Sequence, residues 1–91
     1  MRPKRVRILG HTISITEMGE QFDDGVLGYC DTAHDVIRMK PGLADGCWEA
    51  TLLHEVVHYL SDCLSLGLTE EEVSGVSTAL YSAGVRIGRG T

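Results

Sequence analysis

The feature that most constrains this chain is a pair of histidines, His54 and His58, four residues apart with Glu55 next to the first. They sit inside the apolar stretch Leu52-Leu53-His54-Glu55-Val56-Val57-His58-Tyr59-Leu60. Leu52, Leu53, Val56, Val57, Leu60, Cys63 and Leu64 recur at helical spacing over more than one stripe, so the helix is expected to be buried on most sides. It should run from about Cys47 to Ser65, with Asp45 as N-cap and Gly67 as the residue that ends it. On a helix this spacing puts both imidazoles on one face, one turn apart. Two neutral imidazoles so placed can take adjacent corners of a zinc tetrahedron. Glu55 points to one side of such a metal, where it can take a proton from a water that the metal activates. Two His and a Glu among apolar neighbours are costly unless something pairs with them. Ala50, Thr51 and Ser61, about one turn away, are small and leave the metal accessible.

A third ligand has to come from elsewhere, and zinc sites of this kind accept a carboxylate. Thr69 reads as the N-cap of a second helix, with Glu72 three residues on completing a capping box. Val73, Val76, Leu80 and Tyr81 are its expected inward face, and Gly84 its end. Glu70, Glu71 and Glu72 are the candidate ligands. At about 100° per residue, Glu70 lies about 60° from Val73, Glu72 about 100° and Glu71 about 160°. Glu72 has the cap to serve, and the helix dipole alone accounts for Glu71. Glu70 is therefore favoured, with Glu71 and Glu72 as the alternatives. The short connection from His58 to Glu70 implies an antiparallel helix pair closing on the metal from two sides.

The first half reads as strands. Val6 and Ile8, then Thr12-Ile13-Ser14-Ile15-Thr16, alternate with period two, and Gly10 marks a bulge or bend between them. Met18 to Val26 is a loop with a turn at Asp23-Asp24-Gly25. Leu27 to Asp31 and Val36 to Met39 form a hairpin around a polar turn, and Pro41-Gly42 ends its second arm. The expectation is one α+β domain over residues 1–91: a small antiparallel sheet of about three strands, then two antiparallel helices. At 91 residues one core is all the chain can build, and a bound metal would help to hold it.

The formal charge of −5 argues against a general nucleic-acid binder. Arg2, Lys4, Arg5 and Arg7 are then a solvated strand face. No apolar run approaches the ~20 residues that span a bilayer, and the basic start leads into Ile8-Leu9-Gly10-His11-Thr12, so no signal peptide or membrane span is expected. Cys30, Cys47 and Cys63 are an odd number without close pairing, and read as buried free thiols used for packing in a reducing compartment. Cys63, about 140° round the helix from His58, should not share its metal. His34 reads as a solvated turn residue and His11 as an exposed cross-strand partner, with transition-state hydrogen bonding the functional alternative for His34. Asp62, four after His58, is a solvated residue or an orienting carboxylate. Nothing places Tyr29, Tyr59 or Tyr81 at the site.

The run Leu52 to His58, the Gly-containing turn and Thr69-Glu70-Glu71-Glu72-Val73 resemble the minimal gluzincin-type zinc metallopeptidases, many of them encoded by phages and prophages and similar to the ImmA/IrrE group. Gly10 to Ile15, Leu27 to Asp31 and Val36 to Met39 share the pattern, so the resemblance spans about residues 5 to 83. It implies His54, His58 and Glu70 as zinc ligands, Glu55 as catalytic residue, a peptide or protein substrate laid along a sheet edge, and a bacterial or phage-infected cytoplasm. It also implies an acidic or amide residue four after the third ligand, where this chain has Ser74. Two functions remain open: a zinc peptidase, or a zinc-stabilised regulatory or binding module with little activity.

Overall fold

The computed structural model describes residues 2–17 and 22–88. Four strands come first, β1 (Arg5–Ile8), β2 (His11–Thr16), β3 (Gly28–Asp31) and β4 (Val36–Met39), followed by helices α1 (Asp45–Cys63) and α2 (Glu70–Ser82). Leu9 and Gly10, both at positive φ (53° and 82°), make the tight turn between β1 and β2, so Gly10 serves a hairpin and not a bulge. The described part of the expected 18–26 loop includes the Asp23–Val26 turn, closed by Val26 N–H donating to the Asp23 carbonyl. Residues 18–21 and the tail from Arg89 lie outside the described residues.

The sheet has one strand more than expected and is mixed. Its order is β1-β2-β4-β3, with β2 parallel to β4 and the other two pairs antiparallel. Burial explains the order. Ile37 and Met39 on β4 are fully buried and take an inner position beside Ile13 and Ile15 of β2. Strand β3, which offers only Gly28 and Cys30 to the inner face, goes to the edge. The β3–β4 hairpin lies beside β2 with β4 parallel to it and β3 on the outside.

Trp48, Leu52, Val56 and Tyr59 of α1 recur at helical spacing and pack on Val6, Ile13, Ile15, Ile37 and Met39 as a single core. Leu53, Val57 and, on α2, Val73 are buried outside that cluster. Helix α1 lies over β3 and β4, and α2 packs against α1. Gly28 permits the close approach of β3: a Cβ there would meet the Arg38 carbonyl at 3.0 Å and the Thr51 methyl at 3.3 Å. No described helix is long and apolar enough to cross a membrane.

The helix ends differ from expectation at α1. Ala44 is its N-cap and gives no side-chain bond, while Asp45 is the first helical residue and pairs with Arg2 at 3.0 Å. At the other end Ser65, not Gly67, follows the C-cap at φ 53°. Its N–H reaches the Asp62 carbonyl at 3.3 Å and the Leu66 N–H reaches Ser61 at 2.9 Å, the paired bonds of a Schellman ending. A left-handed serine carries a steric cost that glycine lacks. Ser65→Gly is expected to stabilise the fold by about 1 kcal/mol, raising Tm by about 4–8 °C. An unchanged or lower melting midpoint would contradict this account of the cap. Helix α2 ends in the same motif with Gly84, and its start carries both bonds of the Thr69–Glu72 capping box.

Candidate metal centre

Helix α1 presents two faces to different neighbours. The Trp48–Leu52–Val56–Tyr59 stripe meets the sheet, and His54 and His58 emerge towards α2. Helix α2 answers with Glu70, Val73, Ser74, Ser77 and Tyr81, the positions of its partly or fully buried stripe apart from Glu70 itself. Val76 and Leu80, expected to point inward, are 44% and 37% exposed. The stripe is polar because α2 does not cover the sheet. It covers the histidine face of α1 and borders a cleft.

Glu70 closes the site. One carboxylate oxygen lies 2.7 Å from His54 Nε2 and the other 2.7 Å from His58 Nε2. The three ligand atoms lie within 4.8 Å of one another, and the group can hold a metal ion. Two imidazole nitrogens and one carboxylate fit a borderline divalent cation. Glu71 is exposed, and Glu72 is held by the Thr69 cap. The chain trace decides between the three acids: Glu70 is the first helical residue, on the side of α2 that faces α1.

Glu55 sits beside this group and is 6% exposed. By helix geometry it lies about 60° from His58, between the histidine face and the sheet face. Burial pushes its carboxyl above the ordinary glutamate value. His54 and His58 pull it down and Glu70 pushes it up, and burial wins. A buried carboxylate with a raised proton affinity beside a cation site is suited to take up and return a proton.

The site opens onto a cleft of about 820 Å³ between β3, α1 and α2. Gly28 and Cys30 of β3, Ala50 and Thr51 of α1, and Ser77 and Tyr81 of α2 are among its walls. Ser61, expected beside the metal, instead accepts the Leu68 N–H at 3.0 Å and ties down the link between the helices. Asp62 lies exposed at the rim, and no hydrogen bond joins it to His58. His34 is outside the cleft, its ring 2.8 Å from Asp31. His11 and Tyr59 both meet Asp35, at 3.3 and 2.8 Å, which pins the β3–β4 turn to β2 and α1. Tyr81 lines the cleft with its hydroxyl bonded to the Gly46 carbonyl, and Tyr29 stacks obliquely with Phe22.

The thiols differ from expectation too. All are free, but Cys47 and Cys63 are exposed, and only Cys30 is partly buried. Burial, reinforced by Glu55 and Asp62, pushes the Cys30 thiol up to about 12. Cys30 is therefore expected to alkylate about fiftyfold more slowly than an ordinary thiol at pH 8, the loss of thiolate being partly offset by its greater nucleophilicity. Mass spectrometry of iodoacetamide-treated protein checks this, and equal labelling of Cys30 and Cys47 would contradict it.

Sequence reasoning missed Ser77, whose hydroxyl is 3.4 Å from His54 Nδ1. Its position two turns after Glu70 was the available signal. No protein family, curated protein or solved structure matches the chain.

Proposed function

We propose that this chain is a zinc-dependent metallopeptidase of the gluzincin type, with zinc held by His54, His58 and Glu70 and with Glu55 as general base. The observation that carries the reading is the meeting of one Glu70 carboxylate with both imidazoles, 2.7 Å to each, beside the buried Glu55. Zinc is the favoured ion because a site of two imidazoles and one carboxylate matches its tetrahedral N/O preference with a position left open. When bound, it supplies Lewis acidity for a carbonyl and acidifies water.

The chain's own residues do the rest. Glu55 accepts the proton of the attacking water and later returns it to the leaving amine. Strand β3, at the sheet edge and lining the cleft, is placed to receive an extended peptide by strand addition. The partner is then a peptide or protein segment, bound in a cytoplasmic setting by main-chain pairing. The test is to purify the protein, measure its metal content and assay cleavage of a peptide library with and without a chelator. Cleavage that follows zinc content supports the reading, and zinc-loaded protein that cleaves nothing rejects it.

One observation favours a zinc-stabilised binding module instead. Among the described residues that line the cleft there is no Lys, Arg or third His, and the Tyr81 hydroxyl is already bonded. A developing oxyanion would therefore find no cationic donor among these residues, only hydroxyls. That reading expects zinc to raise the melting temperature with no turnover of any peptide.

A further inference from the structure

We infer that Ser77 is the positioning residue of His54: it holds the ring from behind so that Nε2 faces the metal site. The inference rests on the proposed metal reading and concerns how that site is built. The His54 ring is bracketed by α2 at both nitrogens, with Nε2 2.7 Å from Glu70 and Nδ1 3.4 Å from the Ser77 hydroxyl. Ser77 follows Glu70 by seven residues, two turns along the same face of α2, so one rigid helix supplies both contacts.

With a cation on Nε2, donor and acceptor accounting gives the direction of the contact, because Nδ1 must then carry the ring proton. The Ser77 hydroxyl has one proton, and the Ser74 carbonyl lies 3.2 Å away to take it. The hydroxyl oxygen then accepts the Nδ1–H of His54. The cation then takes the place of the Nε2 proton that meets Glu70, and the Nδ1–H tautomer is the one a ligand needs. Ser77 is 5% exposed, so water competes little for this bond.

Among the described residues His58 has no such partner. Its Nε2 meets Glu70, and no described residue bonds its Nδ1. The two rings are about equally accessible, with side-chain exposures of 22% for His54 and 28% for His58. Exposure therefore does not explain the difference, and His58 is an internal control. Ser74, where the family resemblance places an orienting acid or amide, contributes its backbone carbonyl to Ser77, and its side chain bonds neither histidine.

The experiment measures Zn²⁺ affinity by competition with a chromogenic chelator for the wild type, Ser77→Ala and Ser74→Ala. Ser77→Ala keeps the size of the side chain and suits a helix, so a role in packing alone predicts no change. The expected result is about a tenfold loss of affinity in Ser77→Ala, at the low end for such partners because a hydroxyl is neutral. Ser74→Ala should stay within about twofold of wild type, since it keeps the carbonyl. Wild-type affinity in Ser77→Ala, or a loss confined to Ser74→Ala, overturns the inference and leaves the metal reading standing. A wild type that binds no zinc overturns both.

A second measurement needs no variant. In the zinc-loaded wild type, long-range ¹⁵N–¹H spectra should show the His54 Nδ1–H exchanging with water more slowly than that of His58. Equal exchange rates at the two rings overturn the inference even if Ser77→Ala fails to fold.

Discussion

Glu55→Gln is expected to lower peptide hydrolysis by about 10²–10⁴-fold while zinc affinity changes by less than about threefold. The two quantities separate because Glu55 is not one of the three clustered ligands, yet its carboxyl is buried beside them. Glutamine keeps the shape and removes the ability to take a proton. Turnover at the wild-type rate in the variant would remove Glu55 from the mechanism. The same variant tests the electrostatics of zinc-free protein. Burial raises the Glu55 proton affinity above the ordinary value of 4.5, so its favourable contribution is full below that pH and is lost as pH rises through the raised value. Wild-type stability should therefore fall relative to Glu55→Gln from about pH 4.5 upwards. A stability difference that grows in the opposite direction would show that the carboxylate is stabilised where it lies.

His58→Ala is expected to weaken zinc binding by at least about a thousandfold, and a chelator should lower the melting temperature of the wild type much more than that of the variant. The variant leaves Glu70 facing a single imidazole, so an ion would lose one of its three ligands and link the helices through His54 and Glu70 alone. Zinc at a hundred times its dissociation constant stabilises the folded state by about 2.7 kcal/mol. For a domain of this size that corresponds to a shift in Tm of about 10–20 °C. Equal melting with and without chelator in the wild type would exclude a metal that links α1 to α2. Zinc affinity within about tenfold of wild type in His58→Ala would exclude His58 as a ligand, given the loss expected for a ligand.

Much of the site was legible because its parts are local. The spacing of His54 and His58 fixes their shared face on any helix, and the Thr69–Glu72 cap fixes where α2 starts. Once the cap is known, Glu70 is the first helical residue, and its angle to Val73 favours it over Glu71 and Glu72, which stay alternatives until α1 and α2 are placed together. The misjudged residues are those whose surroundings come from other elements. Val76 and Leu80 fit an apolar stripe in sequence, but α2 lies on the histidine face of α1 and leaves them outside. Cys47 and Cys63 are apolar by composition and exposed by position. Ser77 offers no motif, and its role exists only because the His54 ring is opposite it.

The sequence by itself determined the α+β class, the second hairpin, the two helices and the pairing of His54, His58 and Glu55 on α1, since each follows from periodicity, turn chemistry or helical spacing within one segment. The tertiary structure alone decided that β4 lies inside the sheet and parallel to β2, that β3 is the edge beside the cleft, and that Glu70 and Ser77 grip opposite sides of one imidazole. The physical reason is that hydrophobic patterning records which face of a segment is buried, while the identity of the neighbour that buries it is set by competition among all the elements for one small core.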